Sequence, residues 1–62
     1  EYSVEAPVEA WDESSITLAE LTYTVGGSTT IIPDGATIMV GTEVELTDLT
    51  GDGVADTIEV DD

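Results

Sequence analysis

From Ala36 to Thr47 the even positions are Ala36, Ile38, Val40, Thr42, Val44 and Leu46, while the odd ones are Thr37, Met39, Gly41, Glu43, Glu45 and Thr47. A period of two is the pattern of a strand with one buried face. This stretch therefore predicts one long strand, bending at Gly41 where no side chain resists. Upstream, Ile16 and Leu18 share a phase, but Leu21, Tyr23 and Val25 follow the opposite one. A β-bulge near Ala19–Glu20 would reconcile the two. One helical turn from Thr17 is the competing reading, since Thr17 and Glu20 have capping-box spacing. Thr-Tyr-Thr-Val is poor helix sequence, so the bulge is preferred.

Turn residues punctuate the remainder. Gly26-Gly27-Ser28 predicts a hairpin turn followed by a short strand from Thr29 to Ile32. Ile32-Pro33-Asp34-Gly35 predicts a β-turn with Pro second and Gly fourth. A turn over Asp48–Gly53 leads into a last strand, Ala55–Val60, in which Ile58 and Val60 are in phase, and Asp61 and Asp62 read as a solvated tail. Residues 1–14 alternate weakly. Tyr2, Val4 and Ala6 share a face, but Pro7 lacks a backbone donor, which suits an extended arm or edge strand. Trp11 is expected in the core or as a lid, with an interface anchor as the sharper alternative. The fold expected is all-β: a small antiparallel meander of about five strands, as a barrel or half-open sandwich, in a single domain spanning 1–62.

The turn also carries the one constellation with chemistry. It runs Asp48-Leu49-Thr50-Gly51-Asp52-Gly53-Val54-Ala55-Asp56-Thr57-Ile58-Glu59. This spacing resembles the DxDxDG calcium loops of EF-hands, dockerins and FG-GAP propeller blades. In that family oxygens at loop positions 1, 3, 5, 7, 9 and 12 wrap a hard cation, with a Gly at position 6. The resemblance implies calcium held by Asp48, Thr50, Asp52, the Val54 carbonyl, Asp56 and Glu59, with Gly53 as the sharp-turn glycine. Thr50 departs from the usual Asp or Asn. In a strand Asp56 and Glu59 would point to opposite faces, so Glu45 is a substitute ligand. A plain hairpin loop is the competing reading, because Thr-Gly-Asp-Gly turns well without metal.

Charge changes the picture further. The 62 residues include 15 acids and no Lys, Arg or His, for a formal charge of −15, and they contain no Cys. Such charge with few aromatics is a signature of disorder. The alternating runs of β-branched residues argue instead for a folded sheet. Phosphate contacts need cations, so nucleic acid is excluded as a direct partner, and anionic membrane is disfavoured for the same reason. No apolar run approaches the roughly 18–20 residues of a spanning helix. Absence of Cys and His removes thiolate, imidazole and sulfur-ligated metal chemistry. Paired-carboxylate hydrolysis needs two acids about 5–9.5 Å apart beside a cleft, for which a domain this small has little room. Glu5, Glu9, Asp12, Glu13, Glu20, Asp34 and Glu43 are expected on a solvated face.

Without internal cations, folding should depend on salt, divalent ions, low pH or neighbouring chains. The composition resembles that of proteins from extreme halophiles, which implies solvation by salt. The function expected is a non-catalytic structural or interaction domain, extracellular, on a cell surface or in a virion, binding one calcium ion. One alternative is a subunit of a homo- or hetero-assembly (virion decoration, surface layer or filament) from a halophile. The other is an acidic module binding a cationic partner protein. Glu1 in place of an initiating Met suggests a processed chain.

Overall fold

A computed structural model describes residues 1–61. Six strands form one open sheet: β1 (Tyr2–Asp12), β2 (Ser15–Leu18), β3 (Leu21–Thr24), β4 (Thr30–Ile32), β5 (Glu43–Asp48) and β6 (Thr57–Val60). Their order across the sheet is β3-β2-β1-β5-β6-β4. All pairings are antiparallel except β4 with β6. The architecture is all-β, open, with the character of a half-open sandwich, and it holds six strands where about five were expected. The link after β3 is no hairpin. It crosses the molecule, so that β4 lands parallel to β6 at the far edge.

The expected N-terminal arm is instead the longest strand, and a central one. The first half of β1 pairs with β5, from Tyr2↔Asp48 to Pro7↔Glu43. Its second half pairs with β2, from Val8↔Leu18 to Asp12↔Ser15. Pro7 sits at the changeover. Val8 donates to Thr42 O at 2.8 Å, so the even residues of β1 up to Val8 direct their backbone groups toward β5. The amide that Pro7 lacks would have pointed to the β2 side, before that ladder begins, so no ladder bond is lost. The bulge lies here, between Val8 and Ala10, not at Ala19–Glu20. It turns Trp11 toward the core opposite Ile16, where the indole is partly buried, as the core reading expected.

Ala19 and Glu20 form the two-residue turn of the β2–β3 hairpin, with φ of 51° and 65°. A phase reversal between strands replaces the expected bulge within one. The β1–β2 turn is fastened by Asp12, whose Oδ1 accepts from the Ser14 amide (2.8 Å), the Ser14 hydroxyl (2.8 Å) and the Ser15 amide (3.1 Å).

The long strand expected over 36–47 is shorter. Only Glu43–Asp48 is strand; Thr42 N donates to Met39 O at 3.0 Å, closing a turn in which Gly41 has φ +95°. A left-handed glycine reverses the chain where only a bend was expected. Ile38 still reaches the core, but Val40 is 68 % exposed. The Pro33 turn is also shifted: Ala36 N donates to Pro33 O, so Pro33 opens the turn and Gly35 is its third residue.

Val8, Ile16, Leu18, Ile38, Val44, Leu46, Ala55 and Ile58 make the core. Truncating a buried residue such as Leu46 to Ala would cost about 2–5 kcal/mol. That rivals the few kcal/mol expected for the whole domain.

Candidate functional site

Because β1, β5 and β6 are adjacent, their odd positions share the outer face. Glu5 stands opposite Glu45, and Glu45 stands opposite Glu59. Ile32 of β4 continues the row beside Glu59. One step along, Pro7 lies opposite Glu43, and Asp61 N donates to Glu43 O at 2.9 Å. Five carboxylates thus crowd one exposed sheet face in a chain with no cationic side chain. Like charges directly opposite one another destabilise a sheet.

Three of these acids converge. Ligand oxygens of Glu5, Glu43 and Asp61 all lie within 4.8 Å of one another. Two oxygens on one calcium stand at most about 5 Å apart, given bonds of about 2.3–2.6 Å. The group is therefore able to hold a metal ion, with water completing the shell. The Glu5 carboxyl is raised above its ordinary value of 4.5. The first cause is its hydrogen bond with Asp61; the charge of Asp61, burial, and the charges of Glu43 and Glu45 follow.

The loop residues singled out in the sequence are arranged differently. Asp48 ends β5 on the inner face and is only 2 % exposed. Its oxygens accept from the amides of Gly51 (2.9 Å) and Gly53 (3.0 Å). Burial pushes this carboxyl up, but the Gly53, Gly51 and Asp52 hydrogen bonds outweigh it, and it sits below its ordinary 3.8. Asp56 accepts from Leu49 N at 2.7 Å, and Asp52 from Val54 N at 3.0 Å. Thr50 is exposed. Val54 bridges to Thr24, and Glu59 belongs to the outer row. Among the described residues the loop's carboxylates form no group of three like that of Glu5, Glu43 and Asp61.

The loop acids bind loop amides, and the convergence lies elsewhere. Sequence reasoning placed Glu5 and Glu43 on a solvated face and Asp61 in a tail, the remainder of which, Asp62, lies outside the described residues. The missing signal was long-range: without β1 beside β5, nothing sets Glu5 against Glu45. Comparison with protein-family models, curated proteins and solved structures found no match.

Proposed function

We propose that this chain is a non-catalytic structural or interaction domain whose folded state is completed by cations on the outer face of its sheet, calcium among them. The Glu5–Glu45–Glu59 row beside the Glu5/Glu43/Asp61 cluster carries this reading, because the chain has no cationic side chain to neutralise it. Monovalent salt acts by screening, with a Debye length of ~3 Å at 1 M. A divalent ion acts locally, and an all-oxygen donor set suits calcium. Such a domain belongs in a saline or calcium-rich setting, at a cell surface, outside the cell or in a virion.

The test is a set of circular-dichroism melts in dilute buffer, in molar KCl, and in dilute buffer with millimolar CaCl2 or EDTA at matched ionic strength. A midpoint raised by calcium, and lost with Glu5→Gln/Asp61→Asn, supports the cluster. A calcium effect lost instead with Asp52→Ala would move the ion to the 48–59 loop. Equal midpoints in all buffers would refute the reading.

A second reading, assembly into a larger structure, is favoured by the exposed Met39 and Val40 at one turn and Ile32 on edge strand β4. It expects sedimentation well above the 6.5 kDa monomer in molar salt.

A further inference from the structure

The sheet does not close, and its opening has chemistry of its own. Thr24 N donates to Gly53 O and Ala55 N to Thr24 O, both at 2.9 Å, so the outer edge of β3 is tied to the β5–β6 loop at this one residue. Toward the start of β3 the two diverge. A groove of about 250 Å³ remains between Leu21, Tyr23 and Thr22 on one side and Tyr2 and Gly51 on the other. Backbone direction alternates along a strand, so Thr22 presents its N–H and C=O to the same side as Thr24, into this groove. Among the described residues, no further backbone group is paired with Thr22 on that side.

The groove's lining is specific. It contains both tyrosines of the chain and Asp48, the one buried acid among the described residues. Tyr2 lies so close over Gly51 that a Cβ there would come within 2.6 Å of its ring, so the glycine lets the ring settle against the loop. Aromatic faces beside a carboxylate recognise organic cations. Small-molecule sites occupy roughly 300–1,000 Å³, so this smaller groove suits a single side chain. A cationic side chain must come from outside, because the chain has none of its own.

We propose that the groove beside β3 seats a lysine or arginine side chain from an extended segment of a basic polypeptide, whose backbone pairs with Thr22. The tyrosine rings flank the alkyl stem and charged head, and Asp48, its oxygens held by the Gly51 and Gly53 amides, supplies counter-charge without direct contact. Thr22 supplies the pairing that distinguishes a peptide from a free amine. The charge of −15 steers such a segment inward. The outer-face cation site lies elsewhere on the sheet and is not required.

The test is an amide NMR titration with EDTA present, in the lowest KCl that gives a folded spectrum. The probes are the capped tripeptide Val-Lys-Val, its norleucine analogue, and butylammonium chloride. Val-Lys-Val should shift the amides of Thr22, Gly51 and Gly53. The norleucine peptide should bind roughly tenfold more weakly or worse, and Tyr2→Leu should weaken Val-Lys-Val about fivefold, given the size of cation–π contacts. Tyr2 is 62 % exposed, and leucine keeps its apolar cover, so the variant should stay folded, with spectral changes confined to amides beside the lost ring, such as Gly51. Equal binding of the norleucine peptide, or shifts confined to Glu5, Glu45 and Glu59, would overturn the proposal. Butylammonium binding as well as the tripeptide would overturn the polypeptide assignment.

Discussion

Glu5 lies directly across the β1–β5 ladder from Glu45. The hydrogen-bonding pattern makes this a non-bonded pair, the type in which Cα atoms approach to about 4.5 Å and side chains are nearest. Reversing the central charge should convert two repulsions into two attractions. Glu45→Lys is expected to raise the melting midpoint in dilute buffer by roughly 5–10 °C, from cross-strand pair energies and the size of the domain. In molar KCl the gain should shrink to a small fraction. An unchanged midpoint in dilute buffer would show that the row is not a source of instability.

Acid should first help this fold and then harm it. The folded state holds the Glu5 proton more tightly than the unfolded chain, so stability rises as pH falls from neutral toward the ordinary value of 4.5. Asp12 and Asp48 behave oppositely. Hydrogen bonds from Ser14 lower Asp12; for Asp48, burial raises the carboxyl but amide bonds outweigh it. Their contribution is complete above 3.8 and is lost as pH falls further. The melting midpoint in dilute buffer should peak near or just below pH 4.5. Molar salt should flatten the limb above the peak, and melts across pH 2.5–8, a range set around these ordinary values, check it.

The β2–β3 turn stores strain. Ala19 and Glu20 both have positive φ, a conformation that costs of order 1–3 kcal/mol per non-glycine residue. Replacing the pair by Asn-Gly, the usual choice for two-residue hairpins, should stabilise by about 1–2 kcal/mol. Denaturant melts with an unchanged m-value would confirm that only stability moved.

Gly51 is held at φ +75° under the Tyr2 ring. Gly51→Ala should cost about 1–2 kcal/mol, chiefly through backbone strain, because the tyrosine ring can swing aside. Gly53, at φ +84° with open space at its Cβ position, should cost about the same when changed to Ala. A Gly51 penalty far above that of Gly53, relieved by Tyr2→Leu, would mean that the ring is locked.

The all-β class and much of the core were legible in the chain, since Val44 and Leu46 alternate with Glu43 and Glu45 as the buried face requires. The even phase runs on to Asp48, whose burial is explained by two glycine amides that periodicity does not reveal. Pro7 misled, because its conflict with a central strand vanishes when the strand changes partner at that residue. Ala19–Glu20 concealed a hairpin, as neither residue advertises positive φ. The acidic row needed the pairing of β1 with β5, some 40 residues apart, which no local pattern encodes.

The most direct test of a cation-completed sheet is paramagnetic line broadening with trace Mn²⁺, added to the folded protein in KCl and competed with calcium. Broadening centred on the amides of Glu5, Glu43, Glu45, Glu59 and Asp61, and reversed by calcium, is the expected result. Broadening centred on residues 50–56, or uniformly weak across the chain, would contradict it.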